Sequence, residues 1–255
     1  MGDDLPMQTK TFQTDRNTAP ETPQIKKLPA NERGRTRFGW LDSRHSFSFG
    51  EYFDADRMGY RSLRVLNDDV VAPGQGFGMH PHRDAEIFTY VISGVVQHRD
   101  SLGHEGLITA GNLQYMSAGD GVMHSEFNGS KSEPTHFLQI WLRPNEHGGE
   151  PRYSEKTLGD AAAPNALTLL FAPTARDGAQ AIRQDAEIYF GKLEGGKTLP
   201  LDFGRDRYVW IQQIAGKLRV GDESLEPGDA VTVAGTDSLT IRAERDAEFL
   251  VFILS

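Results

Sequence analysis

From about Arg35 to Leu142 the chain alternates apolar and polar positions in short runs broken by Gly, Pro and Asp. SLRVLNDDVV, EIFTYVIS, GNLQYMSAG and THFLQIWL have the length and period of β-strands, because successive side chains in a strand point to opposite faces. PGQG, SLGH and AGDG supply turn residues between them. In RHSFSFGEYF, His45, Phe47 and Phe49 share one side of a period-two pattern, with Ser46 and Ser48 on the other. No amphipathic helix of useful length occurs in this half. The pattern predicts an all-β fold, with sheets closed on themselves as a sandwich or barrel.

RPNEHGGEPRYSEK, residues 143–156, is polar and rich in Gly and Pro, as expected of a domain junction. Beyond it one short helix is expected over Ala175–Ile182. Strand texture then resumes with EIYFGKLE, RYVWIQQIAG, KLRVG, DAVTVAG, SLTIRA and EFLVFIL. The two halves repeat in order. VISGVV (91–96) aligns with QIAGKL (213–218), and AGNLQYMSAG (110–119) with PGDAVTVAG (227–235). Two copies of one small barrel follow, bounded at 35–150 and 151–255, behind a polar N-terminal tail, 1–34.

Composition sharpens this. With 38% hydrophobic and 25% charged residues the chain can build a packed core. A net charge of −9 without a basic stripe argues against nucleic acid or an anionic membrane as the main partner. There is no cysteine, which excludes disulfides, thiolate metal sites and Cys nucleophiles. The N-terminus lacks a secretory apolar segment and no window could span a bilayer, so a soluble, cytoplasmic protein is expected. No G-x-G-x-x-G, P-loop, G-x-S-x-G or EF-hand pattern is present.

The candidate chemistry sits in GMHPHRDAEIFTYVISG (78–94) and in GVMHSEFN (121–128). His80 and His82, two apart on one strand, can both face a barrel interior, and His124 with Glu126 offers a second same-face pair. Three imidazoles and a carboxylate suit one divalent transition metal, most readily Fe(II), with Mn, Co, Ni, Cu or Zn as alternatives. The pairs do not repeat: at the equivalent offsets stand Asp202, Gly204, Ile241 and Ala243, and no histidine follows His147. One barrel carries chemistry and the other does not. Parity leaves Glu86 open, since 82, 84 and 86 share a face only if the strand is unbroken, and a turn at Arg83–Ala85 is an equal alternative. A solvated hairpin position is expected for His98, with a place at the mouth of the site as the alternative, and no role for His104, His136 or His147. A structural role is favoured for His45. Phe77, Met79, Phe88, Met116, Met123 and Phe127 are expected mostly in the core, a few of them shaping an apolar pocket.

Gly74, His80, His82, Glu86, His124 and Asn128 fit the general cupin pattern, with Gly94 one step late. Within that superfamily the chain resembles the pirin family through RHSFSFGEYFD, MHPHRDAEIFTYVISGVVQHRDSLG, LQYMSAGDGVMHSEFN and LQIWL. The resemblance implies a bicupin, two tandem double-stranded β-helix (jelly-roll) barrels, with one metal in the first. It implies His80, His82, His124 and Glu126 as metal ligands. Glu86 would then orient an imidazole or the substrate, or be an ordinary strand-end charge. Some bacterial pirins cleave flavonols such as quercetin with dioxygen and release carbon monoxide. By that likeness this chain would be an oxidoreductase for a small aromatic substrate, with Glu126 or Glu86 as general base. Other pirins resemble metal-dependent, redox-sensitive regulators that bind a transcription factor or enzyme, which is the alternative.

Overall fold

A computed structural model of the protein describes residues 22–158 and 162–255. Strands dominate, and the one helix among the described residues is the single 3-10 turn Ala30–Glu32. Among the described residues no helix is long and apolar enough to cross a membrane.

The first barrel is built from two sheets. A four-stranded sheet runs in the order Gly76–His82, Val122–Asn128, Val95–Asp100, Glu105–Thr109. A seven-stranded sheet faces it, ordered Arg152–Thr157, Asn112–Ser117, Glu86–Ser93, Thr135–Leu142, Leu63–Val71, Leu41–His45, Gly34–Arg37. The chain crosses between sheets at Gly94, φ +81°, where a Cβ would lie 2.6 Å from Thr135 Oγ1. Only glycine fits that left-handed, crowded corner.

The second barrel stays one nine-stranded sheet, because Tyr208–Val220 and Ser238–Leu254 are long enough to bend through both faces. The bend in Tyr208–Val220 lies at Gly216, φ +77°, among three register shifts, where a Cβ would meet Asp246 O at 1.7 Å. Gly94 and Gly216 are the glycines aligned in the sequence repeat, so the repeat is a repeat of barrel corners. Phe88, Tyr115 and Leu138 of the first barrel and Phe171, Phe190, Trp210 and Phe252 of the second belong to one buried cluster. That shared apolar core fastens the barrels face to face.

Three expectations need correction. The tail does not extend to residue 34: Gln24–Leu28 is a strand, paired with Ala230–Ala234 of the second barrel, while residues 1–21 lie outside the described residues. The junction likewise shifts, since Arg152–Thr157 pairs with Asn112–Ser117 of the first barrel. In both places backbone pairing recruits polar segments that have little apolar surface to announce them. The helix over Ala175–Ile182 is absent. Asp177 and Gly178 take positive φ within an Arg176–Ala179 bridge, and Gln180–Ala181 pairs with the Ala166–Ala172 strand. Asp-Gly turn chemistry outweighs the alanines.

Candidate metal centre

Antiparallel pairing of Gly76–His82 with Val122–Asn128 sets His124 directly opposite His80, and the i,i+2 rule puts His82 beside them. The ring centres of His80, His82 and His124 are 4.5 to 4.8 Å apart, and one nitrogen from each lies within 4.8 Å of the others. The sequence-expected triad of imidazoles is therefore brought together.

Several features suit these rings to a metal. His80 Nδ1 is 2.7 Å from Gly78 O, which leaves Nε2 free. His82 Nε2 and both nitrogens of His124 are buried without a hydrogen-bond partner. Such orphaned groups in an interior call for a ligand or ion. Burial and the imidazoles of His124 and His80 push His82 down to about 4. Burial and the imidazoles of His80 and His98 push His124 down to about 3. Both rings are thus neutral at pH 7, the form that offers a lone pair to a cation. A borderline divalent ion fits this donor set.

Glu126 lines the same cavity but lies outside the group of three nitrogens that share the 4.8 Å radius. A register shift between His124 and Glu126 sets Glu126 opposite Phe77. Such a bulge re-aims side chains. Gly76 makes room for it, since a Cβ there would stand 2.3 Å from Glu126 O. Thr89 Oγ1 donates to Glu126 Oε1 at 2.7 Å and Gln139 Nε2 to Oε2 at 3.1 Å. A carboxylate accepts about four hydrogen bonds, so these two leave lone pairs toward the cavity.

The cavity measures about 380 Å³. Trp40, Phe49, Phe77 and Trp141 form its walls, and Asn67, Asp69 and Gln139 lie on its polar side. Trp141 meets His82 edge to face at 4.8 Å and Phe49 at 5.3 Å; Trp40 packs on Phe77 at 5.2 Å. Asp69 is 2% exposed with Oδ1 unpartnered, and burial pushes its carboxyl up to about 7.

Glu86 is not part of this site. The strand breaks after His82, Asp84 turns at φ +50°, and Glu86 opens a strand of the other sheet. Its buried carboxylate accepts from the hydroxyls of Tyr115 and Ser117 and from the Arg183 backbone N–H at 3.3 Å. Arg183 Nη1 also donates to Ser117 Oγ at 2.8 Å. Glu86 pins the second barrel to the first, and it neither orients an imidazole nor faces the cavity.

His98 also departs from expectation: it is fully buried behind His124, with ring centres 5.4 Å apart. Parity decides this, because His98 shares the inward face of its strand with Val96 and Asp100. His45 is structural, its Nδ1 2.8 Å from Asn67 Oδ1 and its Nε2 2.9 Å from Thr36 Oγ1. His104, His136 and His147 pair with Asp100, Asp68 and Asp84. Asn128 is a turn anchor, donating to Val71 O and Glu133 O. Phe88 and Met116 are core and Phe77 lines the cavity, whereas Met79, Met123 and Phe127 are exposed.

Thr89 and Gln139, which hold Glu126, were missed in the sequence. They sit directly opposite each other on paired strands, and each is a lone polar residue inside an apolar run. That was the available signal.

A model of the pirin family matches residues 29–142. A quercetin 2,3-dioxygenase of Escherichia coli (strain K12) is 43% identical over 88% of this chain and 96% of its own length. The chain belongs to the pirin family. A second model, the quercetinase C-terminal cupin domain, matches residues 169–254, so both barrels are accounted for as a bicupin. A pirin-like protein of Caulobacter vibrioides is 36% identical over 89% of this chain and 98% of its own. Among solved structures, the E. coli pirin YhhW superposes with a TM-score of 0.87 at 41% identity, covering 91% of this chain and 98% of that one. YhhW in complex with nickel(II) gives 0.86 at 42% identity, covering 91% and 99%.

Proposed function

We propose that the protein is a metal-dependent dioxygenase that opens flavonols such as quercetin, with dioxygen as co-substrate and carbon monoxide released. The observation that carries this is the aromatic-walled cavity lined by His80 and His82, beside which His124 completes the group of three imidazoles. It offers a flat ligand both stacking surface and a polar end. The 43% identity to a quercetin 2,3-dioxygenase supports the same substrate class.

In this reading His80, His82 and His124 would hold the ion and Glu126 would complete the set. A bound divalent ion would supply Lewis acidity toward a hydroxyl and its neighbouring carbonyl. The remaining work belongs to the chain. Trp40, Phe49, Phe77 and Trp141 clamp the ring system and keep water out. Glu126 receives the hydroxyl proton, its carboxylate aimed by Thr89 and Gln139. Such general-base help contributes about 10²- to 10⁴-fold.

The test is anaerobic and aerobic incubation of quercetin with protein loaded separately with Fe(II), Ni(II), Co(II) and Mn(II), following flavonol absorbance and carbon monoxide. Aerobic consumption with carbon monoxide release, lost in Glu126→Gln, is expected. Fully loaded protein that leaves quercetin untouched with each metal would refute the substrate assignment.

A further inference from the structure

A fourth histidine of the first barrel is buried without a role in the chemistry above. His98 projects inward from Val95–Asp100, paired opposite Glu126, while its neighbour Asp100 is paired opposite His124. It has no exposed surface, and neither of its ring nitrogens has a hydrogen-bond partner. The same is true of both nitrogens of His124, 5.4 Å away between ring centres. An ion engages one nitrogen of an imidazole and leaves the other to be satisfied by the protein. Metal-bound imidazoles almost always have such a partner, which sets the tautomer and raises the basicity of the coordinating nitrogen. A buried polar group left bare costs about 1–3 kcal/mol.

The surroundings of His98 are those of a fixed partner. Asp100 Oδ2 lies 3.5 Å from His98 Nε2. Asp100 is itself anchored by His104 Nδ1 at 2.8 Å and by the N–H groups of Leu102 and His104 at 2.9 and 3.0 Å. Tyr153, from the Arg152–Thr157 strand, stacks on His98 at 4.9 Å and on His104 at 4.7 Å. From a 5.4 Å ring separation, a small rotation of either ring brings nitrogens to the hydrogen-bond range of about 2.7–3.2 Å.

We propose that His98 is a positioning residue for the metal centre: its Nδ1 accepts the N–H of His124 that the ion leaves free, while its own Nε2–H points to Asp100. The chain Asp100, His98, His124 then ties the buried ligand to a buried carboxylate that is held by the partly exposed His104. The inference rests on His80, His82 and His124 holding the ion, and the experiment separates the two.

Chelator-treated protein is titrated with Ni(II) against a chromophoric chelator, and with Co(II) while its visible bands are recorded. Wild type, His98→Phe, His98→Gln and Asp100→Asn are compared, with melting of each metal-free form. Wild type should take one Ni(II) per chain; failure to bind removes the metal reading and this inference with it. Given that binding, His98→Phe should weaken Ni(II) by about 10- to 100-fold, the usual effect of losing such a partner. It should also shift the Co(II) bands, and His98→Gln, which keeps a polar acceptor, should recover much of the affinity. Wild-type affinity and unaltered Co(II) bands in His98→Phe would overturn the role of His98 alone. Should His98→Phe fail to fold, Asp100→Asn decides: weaker Ni(II) binding with shifted Co(II) bands supports the chain, and unchanged values overturn it.

Discussion

Asp69→Asn isolates one buried charge whose effect on stability has a definite sign. Asp69 is on the Leu63–Val71 strand, 2% exposed, with Oδ1 unpartnered. Burial, with the Asp68 and Glu126 carboxylates adding to it and Ser43 and His136 opposing it, raises its carboxyl from 3.8 to about 7. The folded protein therefore keeps a proton that the unfolded chain releases near pH 4. The corresponding stability is fully present below pH 3.8 and is lost as pH rises through 7. Between pH 5 and 8 that loss amounts to about 2–3 kcal/mol, at 1.36 kcal/mol per unit. Asparagine has nearly the same shape and never ionises, so the substitution removes this dependence.

The assay is thermal unfolding of metal-free wild type and Asp69→Asn at both pH values. For a chain of this size each kcal/mol moves Tm by about 2–4 °C. The variant should gain about 5–10 °C on wild type between pH 5 and pH 8. A Tm difference that is the same at both pH values would refute the claim that this carboxyl is buried and protonated.

Further outcomes follow from the packing. Glu86→Ala strands the Tyr115 and Ser117 hydroxyls and the Arg183 N–H between the barrels. It should cost about 3 kcal/mol or more in denaturant melts while leaving Ni(II) affinity unchanged. Gly76→Ala forces a Cβ to 2.3 Å from Glu126 O; overpacking of this kind costs about 1–3 kcal/mol, and flavonol turnover should fall with it. Gly216→Ala, 1.7 Å from Asp246 O at φ +77°, should abolish folding to soluble protein. Gly204→Ala, at φ +83° with nothing within 4 Å, should cost only about 1–2 kcal/mol on melting.

The comparison of Glu86 with Glu126 shows how far the sequence reaches. Both follow a histidine at an even spacing, and period two treats them alike. What separates them is a turn at Arg83–Ala85, which sends Glu86 into the other sheet, and a bulge after His124, which keeps Glu126 at the cavity. His98 makes the same point from the other side. Its turn-flanked position looks solvated, yet the strand's inward face and Tyr153, from the distant Arg152–Thr157 strand, bury it. Neither contact is local.

By itself the sequence determined the strand texture, the doubled barrel with its corner glycines, the confinement of the histidines to one barrel, and the pairing of His80 with His82. These depend on φ preference and on side-chain alternation within one strand, which are properties of neighbouring residues. Tertiary structure decided the remainder: which carboxylate shares the cavity, which aromatic rings wall it, and which barrel receives Gln24–Leu28 and Arg152–Thr157. Those outcomes depend on register and on contacts between residues as much as 210 positions apart, such as Gln24 with Ala234. Local alternation carries no information about them, because a strand's period specifies its two faces and not the partner each face will meet.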